Sequence, residues 1–306
     1  MPKAYVFTRN GGPEVEALVE QEAPVPGPGE LLVAVRAAGV NPVDWKLRTG
    51  YTRPGSEPQP FPTVLGSEAA GVVVAAGPDA EGFAAGDEVF GSPLTGGYAE
   101  YTLLPVAVTA HKPAGLSFTD AAALPVAVAT AYDGVRQLAP APGSTLLVTG
   151  AGGGVGNAVV QLAHHAGVKV VAVASAAKKD FVESLGAVHV ASGSSLAGRV
   201  RAAAPDGIDA VFDLVGGDTL REVAPLLADP AALISAADKP LAVELGGAAV
   251  VRARTSAVLG EVADLVVAGA LRTHVTRTYP LSAAGEALRA VESGHSRGKT
   301  VIEVSA

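Results

Sequence analysis

One stretch limits the fold more than any other. Thr145-Leu-Leu-Val-Thr-Gly-Ala-Gly-Gly-Gly-Val-Gly156 runs straight into Asn157-Ala-Val-Val-Gln-Leu-Ala163. A β-type apolar run enters a glycine cluster, and the cluster opens into a helical pattern. Glycine tolerates the tight turn and, without a Cβ, lets a diphosphate approach the backbone. The helix behind it aims unpaired N–H groups, with roughly half a positive charge, at that diphosphate. The spacing is Gly150-x-x-Gly153-x-x-Gly156, with Ala151 where the usual fingerprint has its first glycine. Strand, cluster and helix in this order carry the reading; the glycines alone would also suit a loop that merely packs helix on strand.

Composition sets the frame around this motif. With 306 residues the chain can build about two domains, and 49% hydrophobic against 17% charged residues suits buried parallel strands. The apolar run over 121–129 is broken by Pro125 and falls short of the roughly 18 residues of a membrane span. The opening Met-Pro-Lys-Ala-Tyr-Val-Phe lacks the apolar core and cleavage site of a signal peptide. No cysteine is present, so disulfides, a thiolate nucleophile and Cys-ligated zinc are excluded, and the expected location is the cytoplasm. A net charge of −8, with no basic run longer than a pair, argues against nucleic acid and anionic membranes as partners.

The pattern divides the chain in two. Up to about residue 115 it is β-rich, with strands predicted over 4–8, 17–20, 31–39, 69–76, 87–90 and 98–104, separated by turns rich in glycine and proline. Short strands at this spacing suggest a small barrel. From Phe118 on, helices and strands alternate. Helices are predicted over 119–138, 155–166, 177–185 and 219–227, and strands over 145–149, 169–174, near His189, 210–214 and 231–235. That alternation gives an α/β Rossmann fold, a doubly wound parallel sheet covered on both faces. The tail adds a strand over 249–254, helices over 257–267 and 281–292, and a strand over 300–304.

The end of the second parallel strand selects the cofactor. A carboxylate there accepts from the adenine ribose hydroxyls and favours NAD. The run 157–179 has no Asp or Glu and instead ends in Ser175 and Lys178-Lys179. A hydroxyl and an ammonium suit a 2′-phosphate, each charge-assisted contact contributing roughly 1.5–3 kcal/mol. The residues therefore favour NADPH, held by Gly153, Gly154, Val155, Gly156, Ser175 and Lys178. The plainer alternative is that the two lysines only solvate a helix start, although lysine there opposes the dipole.

These features, with the stretches Asn41-Pro-Val-Asp-Trp-Lys-Leu-Arg-Thr-Gly50, Gly66-Ser-Glu-Ala-Ala-Gly-Val-Val73, Gly96-Gly-Tyr-Ala-Glu-Tyr101, Thr130-Ala-Tyr132, Ser184-Leu-Gly-Ala187 and Glu292-Ser-Gly-His-Ser-Arg-Gly-Lys299, carry a resemblance. The chain resembles the zinc-independent, zeta-crystallin-like quinone oxidoreductases of the medium-chain dehydrogenase/reductase superfamily. The resemblance implies a GroES-like β-barrel domain from 1–117 and 275–306, a Rossmann NADPH-binding domain from 118–274, a substrate cleft, and a homodimer. Zinc-dependent relatives use Cys near the position of Asn41 and His between Gly66 and Glu68. This chain has Asn41 and Ser67, so no metal is expected and oxidation of a simple alcohol is disfavoured. Many quinone reductases carry Tyr at the positions of Lys46 and Thr52. Here a Tyr sits at Tyr51, and Asp-Trp-Lys looks closer to enone- and alkenal-reducing relatives. The tyrosine often found after the third parallel strand is replaced by Gly193 or its neighbours.

The implied activity is NADPH-dependent reduction of a small planar quinone or α,β-unsaturated carbonyl by hydride transfer. Asn41, Lys46 and Tyr51 are the catalytic candidates, and Thr130 and Arg297 join the cofactor set. Each has a plainer reading. Asn41, Pro42 and Asp44 make a good helix start; Lys46 suits a solvated helix face; Tyr51 borders a loop suggested by Thr52-Arg-Pro-Gly55. Thr130 could bond back to its own turn, and Arg297 could sit in a solvated turn. Asp213 reads as a turn cap, and His164 and His165 as surface residues. Two other functions stay open: an enoyl-thioester reductase acting in trans, and an NADPH-binding structural or sensor protein with little turnover.

Overall fold

The computed structural model describes residues 1–52 and 60–305, and the chain divides into two compact units. The first comprises Met1–Val126, Arg254–Val267 and Thr273–Ala306, and the second Ala127–Ala253 and Ala268–Arg272.

The second unit is built on a six-stranded parallel sheet. Its order is Val188–Ala191, Lys169–Ala174, Thr145–Thr149, Ala210–Asp213, Leu233–Ser235, Ala248–Ala249. Counting from Thr145–Thr149 as first, this is the order 3-2-1-4-5-6. The connections reverse direction between strands one and four, and the crevice at their carboxyl ends is where such sheets bind ligands. The strands are almost wholly apolar, as burial on both faces requires. Leu147, Val171, Val211 and Leu233 share one core with Leu196, Val200, Leu220 and Leu241 from the covering helices. The helix Gly154–His165 follows the first strand directly through the glycine loop.

The first unit holds a seven-stranded mixed sheet and a three-stranded antiparallel one. Its long strand, Glu30–Val40, pairs antiparallel with Ala69–Ala76, with Tyr101–Pro105 and with Lys299–Glu303 near the chain's end. The core beneath the sheet gathers Val35, Val40, Leu65, Tyr98, Leu288 and Ile302.

Several predicted elements differ from those observed. The helix predicted over 119–138 is interrupted: Phe118–Ala121 gives way to a π-helical turn, Leu124–Val128, before Ala129–Leu138. Pro125 lacks an N–H and crowds the preceding turn, which accounts for the break. The Val126 amide just beyond it donates to Glu68 Oε2 at 2.7 Å. The strand predicted over 249–254 is reduced to Ala248–Ala249. Residues 249–253 are instead held by side chains of the helix Ala129–Leu138: Gln137 donates to Ala249 O and accepts from Val251 N, and Asp133 accepts from Ala253 N. Residues 118–126 pack with the first unit, as does the helix Ser256–Val267, which lies against the strand Thr109–His111. No helix among the described residues is long and apolar enough to cross a membrane.

Candidate functional site

In the second unit, packing explains the key glycines of the loop. Gly150 leaves the first strand at φ +67°, a conformation that disfavours a side chain. A Cβ on Gly156 would lie 2.4 Å from Gly150 O and 2.6 Å from Ala151 Cα, so only glycine lets the helix sit this close to the loop. A Cβ on Gly152 would meet Lys178 Cδ at 2.4 Å: the lysine stem lies directly across the loop. Gly153 is the N-cap in extended conformation, and Gly154, Val155 and Gly156 form the first turn. Their N–H groups have no carbonyl partner within the helix.

The second strand ends at Ala174, and Ser175 follows, exposed, at the start of a short turn, Ala176–Lys178. Lys178 is half-buried, and that desolvation lowers its pKa. Asp213, wholly buried at the end of the fourth strand, is the turn cap expected of it. It accepts from Thr149 Oγ1 and Ser235 Oγ, each at 2.6 Å, and from the Val215 and Gly216 amides. Thr130 is buried on the helix Ala129–Leu138, where its Oγ1 accepts from Arg252 Nη1 at 2.6 Å. Arg252 Nε also donates to Asp133 Oδ2 at 3.0 Å. His164 and His165 are exposed.

In the first unit, Asn41 is the N-cap of the helix Pro42–Arg48, as the sequence suggests, and Asp44 accepts from its backbone N–H at 2.8 Å. The Asn41 side chain also reaches further. Its Nδ2 donates to Glu68 Oε1 at 2.7 Å, and its Oδ1 accepts from Lys299 Nζ at 2.8 Å. Only this orientation of the amide pairs donor with carboxylate and acceptor with ammonium. Lys299 completes the triangle with a 2.7 Å bond to Glu68 Oε1. Asn41, Glu68 and Lys299 are all buried. Beside them Asp44 accepts from Ser67 Oγ at 2.6 Å and Tyr98 Oη at 2.8 Å. Burial raises the Asp44 pKa, and these hydrogen bonds oppose the rise.

Lys46 and Tyr51 lie at the other end of that helix. Both are exposed, and the Tyr51 amide donates to Lys46 O. The Lys46 ammonium lies 5.8 Å from the Trp45 ring centre. Of the loop suggested after Tyr51, residues 53–55 lie outside the described residues. Arg297 is exposed in the turn before the strand Lys299–Glu303. The three catalytic candidates therefore separate into a buried Asn41, whose amide is engaged by Glu68 and Lys299, and an exposed pair. Sequence reasoning misses Lys299, Glu68, Arg252 and Asp133 as partners. Glu68 and Lys299 do stand inside the stretches that carry the resemblance, the one available signal.

Comparison with known proteins finds family models and relatives that match this chain. The family model "Alcohol dehydrogenase GroES-like domain" matches residues 27–114, and "Zinc-binding dehydrogenase" matches residues 185–302. The chain is 40% identical over 198 residues to the 2-methylene-furan-3-one reductase of Solanum lycopersicum, a match covering 60% of this chain and 50% of that protein. It is 33% identical over 315 residues to a chloroplastic quinone-oxidoreductase homolog of Spinacia oleracea, covering 96% of this chain and 95% of the relative. The solved quinone oxidoreductase from Coxiella burnetii superposes with a TM-score of 0.88 at 28% identity, covering 99% of each chain.

The zinc in one family description does not fit the residues here. A catalytic zinc takes three protein ligands, drawn mainly from Cys, His and carboxylates. At the positions where the resemblance puts zinc ligands stand Asn41, whose amide is engaged at both ends, and Ser67, whose hydroxyl donates to Asp44. With a full-length relative at 33% identity, the chain belongs to the medium-chain dehydrogenase/reductase superfamily, in its quinone-oxidoreductase branch, a family of nicotinamide-dependent oxidoreductases.

Proposed function

We propose that this protein reduces quinones or α,β-unsaturated carbonyls with NADPH, without a metal. The observation that carries this reading is Lys178 lying across Gly152, at the end of a strand that is followed by no carboxylate before Asp180. The first-turn amides of Gly154, Val155 and Gly156 suit a diphosphate, and Ser175 and Lys178 suit a 2′-phosphate. When bound, the cofactor supplies a hydride from nicotinamide C4.

The protein's own share is positioning, plus hydrogen bonds to the substrate oxygen that gains charge. Lys46 and Tyr51 are the exposed donors proposed for that oxygen, while Asn41 holds the start of their helix. Thr130, fixed by Arg252, is proposed to lie beside the nicotinamide. Arg297 keeps only a peripheral part in this reading. The enzyme is proposed to act as a homodimer in the cytoplasm, a location that the cysteine-free composition supports.

Steady-state assays of NADPH and NADH against naphthoquinones, straight-chain 2-enones and a crotonyl thioester test the proposal. Turnover confined to the thioester would favour the enoyl-thioester alternative. Tight NADPH binding with no oxidation by any acceptor would favour a sensor or structural role. Lys46→Ala or Tyr51→Phe is expected to lower kcat by at least about tenfold if that residue stabilises the developing charge; unchanged kinetics in both would remove them from the mechanism.

Lys178→Ala is expected to weaken NADPH by about ten- to a hundredfold and to spare NADH. Equal loss of both would refute the phosphate assignment. Because burial lowers the Lys178 pKa, its charge is lost earlier on raising the pH than an exposed lysine's would be. The preference for NADPH should therefore narrow at alkaline pH, which the ratio of the two KM values measures.

A further inference from the structure

The stretch Gln161-Leu-Ala163 is not used in the proposed function, yet Gln161 belongs to a chain of amide contacts that ends on the glycine loop. Asn157, 1% exposed, donates from Nδ2 to Gly153 O at 2.8 Å and to Gly154 O at 2.9 Å. Gln161 Nε2 donates to Asn157 Oδ1 at 3.1 Å and to Arg272 O at 3.0 Å, while Gln161 Oε1 accepts from Arg272 N at 2.9 Å. Both amides are thereby fixed in orientation, because each oxygen faces a donor and each nitrogen an acceptor.

In a trans peptide the carbonyl and the following N–H point in opposite directions. Drawing the Gly153 and Gly154 carbonyls toward Asn157 therefore turns the Gly154 and Val155 N–H groups the other way, out of the helix end. Gly153 O already accepts from the Asn157 amide at 3.0 Å, so the side chain uses the second lone pair. Glycine peptides are the least restrained by their own side chains, which is where such a brace has most effect.

We propose that Asn157, held by Gln161, is a positioning residue that pre-orients the Gly154 and Val155 amides for the diphosphate of the dinucleotide. The inference rests on the function proposed above. It differs from the role given to Lys178, since the diphosphate is common to NADPH and NADH while the 2′-phosphate is not.

The test is titration of NADPH and NADH, followed by nicotinamide fluorescence, with adenosine 2′-monophosphate as a competitor that lacks the diphosphate. Asn157→Leu is expected to weaken both dinucleotides by the same factor, about three- to tenfold, and to leave adenosine 2′-monophosphate binding at the wild-type level. Asn157→Ser, whose hydroxyl can bond back to Gly153 O, is expected to recover part of the loss. Wild-type affinities in Asn157→Leu would overturn the proposal. So would a parallel loss of adenosine 2′-monophosphate, which marks general damage to the unit. Wild-type protein that binds neither dinucleotide would overturn the proposed function, and this inference with it.

Discussion

Replacing Lys299 with methionine is expected to destabilise the protein by about 3–5 kcal/mol, because it leaves a buried carboxylate without its cation. Lys299 is 3% exposed and Glu68 is fully buried, and their charged atoms are 2.7 Å apart. Glu68 would keep the Asn41 amide and the Val126 N–H, but Asn41 Oδ1 would lose its own donor in the same step. Denaturant unfolding of Lys299→Met, Glu68→Leu and the double variant would measure the coupling. Removing both charges is expected to cost less than removing either alone, since an apolar pair often replaces a buried ion pair with little loss. Additive losses would show that the triangle contributes little as a unit.

Gly156→Ala is expected to lower kcat/KM by on the order of a hundredfold, the usual cost of displacing a binding element by about 1 Å. The added Cβ would meet backbone atoms at 2.4 and 2.6 Å, and neither can rotate away. The helix Gly154–His165 must then retreat from Gly150 and Ala151, carrying its first-turn amides with it. Gly198→Ala in the same unit is the control: nothing lies within 4 Å of its Cβ, and it stands inside the helix Leu196–Ala203. That change is expected to stabilise by roughly 0.5–1 kcal/mol and to leave kinetics intact. Undiminished activity in Gly156→Ala would contradict the close loop–helix contact.

Local pattern makes much of the fold readable. The strands Ala69–Ala76, Thr145–Thr149 and Lys169–Ala174 lie where apolar runs between turn residues predict them. The strand Val275–Pro280 escapes such a reading because Val-Thr-Arg-Thr-Tyr-Pro is mostly exposed and shows no alternation of apolar and polar residues. The helix Leu196–Ala203 escapes it for a related reason: its glycine and two arginines dilute the apolar stripe.

The candidate site is legible to the same limit. The glycine loop and Lys178 are close in sequence or follow from the order of strands. Asn41 is readable as a helix cap, but its side-chain partners are 27 and 258 residues away. No local rule reaches that far, and a lysine opening a terminal strand reads as solvated. The same holds for Thr130, whose Arg252 partner is 122 residues on, in a segment with the pattern of a strand.

Turnover of a straight-chain 2-enone with NADPH deuterated at the transferable C4 position follows the proposed hydride directly. Deuterium is expected on the carbon β to the carbonyl of the saturated product, and nowhere else. A saturated product without that label, or no oxidation of NADPH by enones and quinones alike, would contradict the proposed reaction.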